Sequence, residues 1–429
     1  MEVSDVRRSE AMLFTSREAA GWENDTVQLA VRAGFIRQFG SGLFGFTPTG
    51  ERVRRKIIRR IKTEMDTIGG QAVSLPNLQY KPIWEQSGRW GSFEGEMFTF
   101  ENRDGQQLCL APSHEEGIVH LVEGIVRSYE DVPLLLYQVE RKHRDDHPRN
   151  GLLRTKEFTM KDAYSLHATA DSLDEWYGRV RDAYCRIFDA LGIDFVVADA
   201  QNSVMGGSAS EEFIAPVETG SVELVYCEAQ GCRVGVTDES PDASLFEGDV
   251  CPDCGAALTS GEGIEIGHVF KLGTRYTDPA DLTVDMADGS ERPVLMGSYG
   301  IGVDRLVHTL IEQHGDETGC RWPVTDRGTA APYTVSIIPL EYGGDIQAVA
   351  DRLHRECGRA TALLFDDLDQ TIGERFAESD LLGVPWKVIL GNHFRETGEV
   401  ELEHRDGKTR FIAPGAVSEL VGQASSGSE

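Results

Sequence analysis

The sequence predicts an α+β fold, in which helices flank an antiparallel sheet, followed by a separate C-terminal α/β domain. Short β-type runs alternate with a long amphipathic segment over residues 71–220, a pattern typical of strands packed against a helix. Near residues 321–333 the composition shifts to Pro, Gly and Ala, which indicates a linker. Strand and helix patterns then alternate to about residue 425, which favours a small domain with a partly parallel sheet.

The composition is that of a globular protein with an acidic surface. The 429 residues favour two or three domains, and 71 Asp and Glu against 42 Lys and Arg give a formal net charge of -29. Only nine of the cations are Lys. Such a surface suits the cytoplasm of a halophilic host, because charges are screened within about 3 Å at 1 M salt. The charge argues against a nucleic-acid partner unless a local basic site is shielded from the global field.

Neither a membrane nor an export pathway is expected for this chain. No apolar run approaches the roughly 18 residues that a membrane span needs. Residues 1–14 lack the apolar stretch and small-residue cleavage site of a secretory signal. We therefore expect a cytoplasmic protein.

Two neighbouring strand patterns, PLLLYQVERKHRDD and LLRTKEFTM, gather cations around an aromatic ring. Alternation along the second strand places Arg154 and Phe158 on one face and Glu157 on the other, and Arg144 ends the first strand. Guanidinium groups can bind phosphate oxygens while the ring stacks on a base, so a nucleotide site is one interpretation. The other is a cross-strand ladder that pairs Arg144 and Arg154 with Asp145 and Glu157.

A glycine-rich strand end leads into a helix at residues 295–313, LMGSYGIGVDRLVHTLIEQ. Gly297, Gly300 and Gly302 let the backbone approach a ligand closely, and Arg305 stands in the first helical turn. A helix N-terminus with an Arg favours an anion. The alternative is that the glycines form only a tight turn.

Residues 225–262 contain four cysteines in two close pairs. The spacings Cys227-x4-Cys232 and Cys251-x2-Cys254 are typical of a four-thiolate zinc ribbon. A structural Zn²⁺ would replace the core that so polar a segment cannot build. The alternatives are a disulfide, disfavoured in a reducing cytoplasm, and a relict knuckle that binds no metal.

Seven blocks, in this order and spacing, resemble the bacterial type of prolyl-tRNA synthetase, a class II aminoacyl-tRNA synthetase. They are RAGFIRQFGSGLFGFTPTGERV, WEQSGRW, LAPSHEEGI, TKEFTMKDAYSLH, MGGSASEEF, IEIGHVFKLGTRY and MGSYGIGVDR. The resemblance runs from about residue 5 to about residue 425. It implies a class II catalytic core in residues 1–224 (motifs 1 and 2) and 263–328 (motif 3), the four-cysteine insertion 225–262, an anticodon-binding α/β domain 329–425, and a disordered tail 426–429.

The resemblance implies ATP-dependent attachment of proline to tRNA(Pro) through a prolyl-adenylate, with release of AMP and pyrophosphate. Mg²⁺ is expected on the remaining phosphate oxygens. It also implies a homodimer, with Pro76 as the motif 1 proline at the interface. The alternatives are a diverged paralogue that activates proline or another amino acid for a different acceptor, and a catalytically silent tRNA-binding homologue.

Roles in ATP binding follow from the resemblance, residue by residue. Arg144 matches the motif 2 Arg that holds the α-phosphate and the substrate carboxylate, and Arg305 matches the motif 3 Arg at the γ-phosphate. Both are the expected catalytic groups. Arg154 and Glu157 match the pair facing ATP, and Phe158 matches the ring that stacks on adenine.

Roles in proline binding follow in the same way. Ser113 and Glu115 match the residues that hold the imino group, and a carboxylate is the group that a secondary ammonium requires. Arg144 serves the carboxylate. The other expected wall residues are His167, Ser208, His268 and Ser298.

Four positions depart from the family's pattern. They are His143, Asp146, Glu211 and Leu368, and whether they change amino-acid or tRNA specificity stays open at this point. In addition, Ser298 stands where the family commonly has a Cys, and the loop after motif 2 is one residue shorter and lacks one Arg. The segment between motifs 2 and 3 is about 38 residues, whereas relatives often place a large editing domain there. We therefore expect a separate, trans-acting hydrolase to remove mischarged alanine. The basic helix 51–62 and the Arg-rich loop 141–154 are expected at a tRNA-facing surface, or the helix is simply a solvated amphipathic face.

Overall fold

The structure is a computed structural model that describes residues 6–16, 21–22, 24–92, 96–200, 205–238, 240, 244–358, 361–367 and 369–426, without the side chains of residues 423–426. The helices are α1 (Asp25–Arg32), α2 (Pro48–Thr67), α3 (Lys81–Gln86), α4 (Arg89–Ser92), α5 (Glu115–Val122), α6 (Ala170–Leu191), α7 (Val303–His314), α8 (Gly344–Glu356), α9 (Ile372–Leu382), α10 (Asn392–Thr397) and α11 (Val417–Ser426). The strands are β1 (Ile36–Gly40), β2 (Leu43–Phe46), β3 (Gln71–Ala72), β4 (Leu78–Tyr80), β5 (Thr99–Glu101), β6 (Gln107–Leu110), β7 (Leu134–His143), β8 (Glu157–His167), β9 (Val196–Asp199), β10 (Ala209–Val217), β11 (Val222–Cys227), β12 (Gly235–Thr237), β13 (Leu258–Gly273), β14 (Thr283–Asp285), β15 (Glu291–Pro293), β16 (Leu295–Gly302), β17 (Val324–Thr325), β18 (Gly328–Thr329), β19 (Val335–Pro339), β20 (Ala362–Leu364), β21 (Trp386–Leu390), β22 (Val400–His404) and β23 (Thr409–Ile412).

A nine-stranded sheet forms the centre of the larger domain. Its order is β12-β11-β13-β16-β8-β7-β3, and β10 and β9 join it at β13. The pairs are antiparallel except for β3 with β7, which are parallel. The predicted antiparallel sheet is therefore confirmed.

Helices α2, α6 and α7 pack together on one face of this sheet. Helix α6 begins at the N-cap Thr169, whose side chain accepts a hydrogen bond from the Ser172 N–H, and ends at Gly192 in the left-handed conformation (φ 72°). Its apolar side chains recur at the helical period and are buried against the sheet, which is why the predicted helix forms here. The opposite face of the sheet stays open for a cavity.

A small three-stranded sheet, β4-β6-β5, stands beside the main sheet. On one of its faces Cys109 of β6 packs in a small core with Trp84, and both side chains are fully buried. The other face carries Leu78, Tyr80 and Phe100, which are exposed. An apolar sheet face of this kind is a candidate contact surface.

The C-terminal domain has a five-stranded sheet in the order β20-β19-β21-β22-β23. Strand β19 pairs parallel with β20 and β21, and the remaining pairs are antiparallel. Helix α8 and helix α11 cover one buried core of this sheet. The predicted α/β domain with a partly parallel sheet is confirmed. No helix in the described ranges is long and apolar enough to cross a bilayer.

Several predicted boundaries differ from the structure. Strands β11 and β13 run through positions 225 and 262, so the four-cysteine segment continues the main sheet rather than standing apart from it. Strand β8 begins at Glu157, because residues 150–153 form a turn and do not extend the pairing. Position 368 and residues 427–429 lie outside the described residues, and the described end of the predicted tail, Ser426, belongs to α11.

Candidate active site and four-cysteine cluster

A cavity of about 380 Å³ lies on the face of the main sheet that is opposite α6. Strand β8 supplies Phe158, Met160, Asp162 and Tyr164 to its wall, since alternate side chains of a strand share a face. The intervening Lys161 points the other way and contacts the Tyr184 hydroxyl of α6. Arg144, Arg154 and Arg305 line this cavity, and so does the buried Glu115.

Arg144 lies in the cavity wall without a carboxylate partner among the described residues. Its guanidinium carbon is 5.4 Å from the Phe158 ring centroid, and its Nη2 donates only a long, 3.4 Å hydrogen bond to the Pro112 carbonyl. Its buried Nε has no hydrogen-bond partner in the described part of the chain. Burial and then the charge of Arg305 lower the pKa of Arg144, so an anion placed here would be stabilised.

Arg305 enters the cavity from the first turn of α7. Its Nη1 donates to the Glu265 carbonyl oxygen at 2.9 Å and to Glu265 Oε2 at 3.0 Å, and its Nε donates to the Leu153 carbonyl. Burial opposes ionisation of Glu265, but His268 and Arg305 lower its pKa below the usual range. The Arg305 guanidinium is therefore held in place at the cavity wall by groups from β13 and from the turn before β8.

Two ion pairs between the end of β7 and the approach to β8 lie near Arg144 without including it. Arg154 pairs with Asp146 at the cavity wall, and Lys156 pairs with Asp145. Thus the ion-pair ladder exists, but with partners that differ from the predicted ones. The cavity keeps Arg144 available for a ligand.

Glu157 lies away from the cavity. Its carboxylate pairs with Arg141 and lies 3.7 Å from His143 Nε2. Glu157 is the residue before Phe158 on the strand, so the pleat turns the two side chains to opposite faces. The prediction that Glu157 faces ATP stays a prediction, and its observed partners give it no contact with the cavity.

Two buried carboxylates share one guanidinium at the acidic region of the cavity. Arg89 Nη1 is 3.1 Å from Glu115 Oε2 and 3.0 Å from Glu116 Oε2, and its Nη2 donates to Ser113 Oγ at 2.9 Å. Ser298 Oγ donates to Glu115 Oε1 at 3.0 Å. Burial opposes ionisation of Glu115, but Arg89 holds its pKa below the usual value, whereas burial raises the pKa of Glu116.

A buried network of hydrogen bonds and one ion pair holds the segment that carries Glu115 in place. Asp162 lines the cavity, and its Oδ1 lies 2.7 Å from Lys142 Nζ. The Tyr164 hydroxyl and Gln138 Nε2 both donate to Asp162 Oδ2 at 2.9 Å. The His114 N–H donates to the Tyr164 hydroxyl, so the network fixes the start of α5, where Glu115 stands.

The predicted wall residues separate into two groups. His268 and Ser298 line the cavity, and the His268 ring stacks on Phe270 with centroids 3.7 Å apart. His167 is buried on the opposite face, where its Nδ1 is 2.8 Å from Ser172 Oγ. Ser208 is exposed outside the cavity wall, and its N–H donates to the Lys271 carbonyl.

Sequence reasoning missed two residues that organise the site. Arg89 lies in the WEQSGRW block, 26 residues before Glu115, and a lone Arg after a glycine gives no sign of its carboxylate partners. Glu265, in the IEIGHVF block, anchors Arg305 from a different strand. Both contacts depend on tertiary pairing, so only the resemblance to family blocks pointed to these segments.

The four cysteines come together at the edge of the main sheet. The Sγ atoms of Cys227 and Cys254 are 3.3 Å apart, and those of Cys232 and Cys251 are 3.6 Å apart. All four thiols lie within 4.8 Å of one another and are free. A tetrahedral Zn²⁺ with Zn–S bonds of about 2.3 Å separates sulfurs by roughly 3.8 Å, so the thiols fit that ion. Both sulfur distances exceed the roughly 2.05 Å of a disulfide.

Comparisons with known proteins agree with this architecture. Residues 98–314 match the family model described as the tRNA synthetase class II core domain (G, H, P, S and T), and residues 334–422 match the anticodon binding domain. The chain is 36% identical over 422 residues to a proline–tRNA ligase of Maricaulis maris, with 92% of this chain and 93% of the relative covered. It is 37% identical over 416 residues to that of Anaplasma marginale, with 93% and 96% covered.

Solved structures share the fold at lower identity. The prolyl-tRNA synthetase of Giardia lamblia in complex with prolyl-adenylate superposes with a TM-score of 0.75 at 20% identity, covering 92% of this chain and 75% of that one. The Cryptosporidium parvum enzyme with halofuginone and AMPPNP gives 0.73 at 17% identity, with 93% and 74% covered. The matched core model and the identity to curated relatives over most of both chains decide the family. This chain belongs to the proline–tRNA ligases of the class II tRNA synthetases.

Proposed function

We propose that this chain activates proline with ATP and transfers it from prolyl-adenylate to tRNA(Pro), releasing pyrophosphate and AMP. The observation that carries the proposal is one cavity that is lined by cationic and by acidic side chains. Arg144 and Arg305 form its cationic region, and Glu115, held by Arg89, forms its acidic region. Such a cavity suits a triphosphate at one end and an amino acid with a cationic nitrogen at the other.

The cationic region supplies charge neutralisation for ATP. Arg144 lacks a carboxylate partner among the described residues, and the charge of Arg305 adds to the cost of keeping it charged. Phosphate oxygens bound near both guanidinium groups relieve this repulsion. Activation proceeds by in-line attack on the α-phosphate, and it needs positioning and charge stabilisation more than a protein nucleophile. We assign Arg144 to the α-phosphate, Arg305 to the γ-phosphate, and Phe158 to the adenine ring.

The acidic region suits the secondary ammonium of proline. Glu115 and Glu116 share the single guanidinium of Arg89, so a second cation completes the charge balance. Glu115 also accepts from Ser298, which orients its carboxylate at the cavity wall. We assign the imino group to Glu115 and Ser113, and the proline carboxylate to Arg144. His268 remains a wall residue in this assignment.

Mg²⁺ is expected to accompany ATP. Glu212, Glu265 and His268 each offer a ligand atom, and these atoms lie within 4.8 Å of one another. Carboxylate oxygens are the protein ligands that Mg²⁺ prefers, so Glu212 and Glu265 are the residues that would hold it. When bound, the ion neutralises charge on the phosphate oxygens.

The transfer step requires tRNA(Pro) as the second substrate. Residues 334–422 match an anticodon binding domain, which supports a tRNA partner for this chain. The acidic surface cannot attract RNA over a distance, and we therefore expect recognition through short-range contacts. We place the protein in the cytoplasm of a host with high internal salt.

Charging of tRNA tests the proposal directly. In molar KCl, the chain should attach labelled proline to a tRNA(Pro) transcript, and should attach alanine far more slowly. Proline activation without transfer to tRNA would indicate a paralogue that serves a different acceptor. Charging with another amino acid in place of proline would overturn the substrate assignment.

We propose that the four-cysteine cluster holds one structural Zn²⁺. The thiols of Cys227, Cys232, Cys251 and Cys254 are close to the spacing of a tetrahedral ion, which supports this assignment. Elemental analysis of the purified chain should find about one zinc per chain. The Cys251→Ser variant should lose the metal, whereas Cys357→Ser, at a cysteine outside the cluster, should keep it. A metal-free wild-type chain that stays fully folded would overturn the assignment.

We propose that the chain forms a homodimer through the exposed face of the β4-β6-β5 sheet. Leu78, Tyr80 and Phe100 give this face its apolar character, and Pro76 lies beside it. Sedimentation equilibrium should give a dimer for the wild type and a monomer for Leu78→Glu. Ile125→Glu, which changes another exposed apolar residue, should remain dimeric.

We also propose that mischarged alanine is removed by a separate hydrolase. The described part of residues 225–262 consists of strands and the cysteine cluster, and it leaves little room for a second hydrolytic domain. Incubation of the pure chain with Ala-tRNA(Pro) should leave the ester intact. Efficient deacylation would contradict this proposal.

A further inference from the structure

A second cavity, of about 260 Å³, lies where helix α2 meets the linker between the two domains. Its walls come from α2, from the last turn of α6, and from linker residues 327–330. Four of its side chains are cations, Lys56, Arg59, Arg60 and Arg327, and no Asp or Glu lies among its described wall residues. We call this cavity the junction site. In a chain with a formal net charge of -29, such a group of cations needs a physical reason.

Attachment of the linker accounts for part of this charge. Lys56 Nζ donates to the Ala331 carbonyl, and Arg60 Nη2 donates to the Arg327 carbonyl. The Arg59 guanidinium, by contrast, has no hydrogen bond or ion pair within the described residues. Linker attachment therefore explains the half-buried cations and leaves the exposed Arg59 unexplained.

The cations of the junction site repel one another without a counter-ion inside the cavity. Burial, and then the charges of Arg52 and Arg59, lower the pKa of Lys56 to about 7. Two carboxylates lie beside the cavity and outside its wall. Glu64 Oε2 accepts from Arg186 Nε at 3.0 Å, and Asp326 Oδ2 is 3.8 Å from Arg327 Nε on a side chain that is 80% exposed. An anion bound in the cavity would relieve this repulsion.

We propose that the junction site binds a phosphate group. Guanidinium groups present paired N–H donors that match phosphate oxygens, and Arg59 and Arg327 are exposed where such a group would enter. The phosphate comes either from the backbone of bound tRNA or from a free phosphate ion. The RNA source rests on the proposed function, whereas the free ion does not. A bound phosphate would connect α2 of the catalytic domain to the linker that leads to the anticodon-binding domain.

The test uses the full chain and two double variants of equal charge. R59Q/R327Q removes the two exposed cations of the junction site. R55Q/K62Q is the matched control, because both residues are exposed on α2 and neither lines the cavity. Any binding of phosphate in the catalytic cavity is common to all three proteins and cancels from the comparison.

The first measurement is the melting temperature with increasing inorganic phosphate at constant ionic strength. A ligand that binds only the folded state raises the melting temperature by an amount that grows with the logarithm of its concentration above the dissociation constant. The wild type and the control should show the same rise, and R59Q/R327Q should show a smaller one.

The second measurement is the KM for tRNA(Pro) in charging assays. We expect R59Q/R327Q to raise this KM by about 3–10-fold relative to the control. The slope of the logarithm of tRNA affinity against the logarithm of salt concentration should become shallower by about one, which corresponds to the loss of one phosphate contact. Proline-dependent pyrophosphate exchange should stay unchanged, because neither residue touches the catalytic cavity.

The two measurements distinguish the sources of the phosphate. A loss confined to the melting-temperature shift indicates a free ion, and a loss confined to tRNA charging indicates the RNA backbone. If both variants behave alike in both measurements, the junction site is not a phosphate site. If the wild type shows no proline-dependent exchange at all, the proposed function fails, and the phosphate titration still decides the junction site.

Discussion

Two cation-rich segments of this acidic chain resemble each other in sequence and differ in what their charges contact. In the segment around strand β8, Arg144 is left without a carboxylate partner among the described residues, and it faces a cavity beside Phe158. In helix α2, Arg52, Lys56 and Arg60 recur every four residues, and each donates to a linker carbonyl oxygen. The first arrangement leaves a charge available for a ligand. The second uses most of its charge to attach one domain to the other.

The difference shows that cation density alone does not identify a nucleic-acid surface. Helix α2 was expected at a tRNA-facing surface or as a solvated amphipathic face. Val53, Ile57 and Ile61 are buried in the core, as an amphipathic helix requires, and Arg52, Lys56 and Arg60 contact the linker. The tRNA-facing role of this helix stays a prediction. What distinguishes a ligand site is a buried cation whose hydrogen-bonding capacity the protein itself does not satisfy.

The largest effect is expected in the cavity. Arg305→Ala removes a guanidinium that we assign to the γ-phosphate, and it should lower kcat/KM for pyrophosphate exchange by about 10²–10³-fold. The melting temperature should change little, since Arg305 is partly exposed. Arg292→Ala, at an exposed position on β15, is the control and should keep full activity. If Arg305→Ala retained its activity, the assignment of Arg305 to the γ-phosphate would be contradicted.

The second-largest effect is expected from loss of the buried ion pairs that Arg89 makes with Glu115 and Glu116. Arg89→Met leaves Glu115 and Glu116 without their shared cation and should lower the free energy of unfolding by about 3–5 kcal/mol. The KM for proline should rise as well, because Glu115 loses its anchor. Urea denaturation and proline-dependent exchange measure the two effects.

The neighbouring Arg275 provides a matched control for Arg89. It is exposed and donates one hydrogen bond, to the Ser87 carbonyl at 2.8 Å. Arg275→Met should cost only about 1 kcal/mol. Equal losses for the two variants would show that Arg89 does not act through the two carboxylates.

A smaller and pH-dependent effect is expected in helix α2. Burial, and then Arg52 and Arg59, lower the pKa of Lys56 from 10.5 to about 7 in the folded state. Between these two pKa values Lys56 binds more protons in the unfolded chain than in the folded chain, so its contribution to the free energy of unfolding rises with pH. The contribution of Lys56 to this slope is at most about 1.4 kcal/mol per pH unit.

Lys56→Met should remove that part of the slope. The change in the free energy of unfolding from pH 7.5 to pH 9.5 should be less positive in Lys56→Met than in the wild type. Lys62→Met, at an exposed position on the same helix, should leave the slope unchanged. An unaltered slope in Lys56→Met would mean that this lysine stays charged in its contact with the linker.

The smallest effect is expected at the exposed pair of α2. Arg55 Nε is 2.9 Å from Glu51 Oε1, and the Arg55 side chain is 70% exposed. Arg55→Ala should change the free energy of unfolding by no more than about 0.5 kcal/mol. A larger loss in urea denaturation would show that the basic face of α2 has a structural role beyond the linker contacts.

The spacing of apolar residues and the positions of turn residues predicted the fold well where these two signals agree. The α6 helix, the antiparallel main sheet and the partly parallel C-terminal sheet follow from apolar periods and turn residues that agree with one another. The segment boundaries were less accurate. Strand β13 is one continuous element, although the cysteine-rich composition suggested a domain limit at residue 262.

The candidate site was predictable where sequence neighbours are also spatial neighbours. Arg144, Phe158 and Arg305 come together as the resemblance implied, because two adjacent strands and one helix start carry them. His167 and Glu157 lie on the other face of β8, since each is an odd number of residues from the strand's cavity-facing positions. The roles of Arg89 and Glu265 could not be predicted from local sequence, because they depend on contacts between segments that are distant along the chain.

The most direct test of the account is proline-dependent pyrophosphate exchange in molar KCl, with the wild type and Arg144→Ala compared side by side. The account predicts exchange that requires proline and that falls by at least about 100-fold in a folded Arg144→Ala chain. Exchange that does not depend on proline, or that survives undiminished in Arg144→Ala, would contradict it.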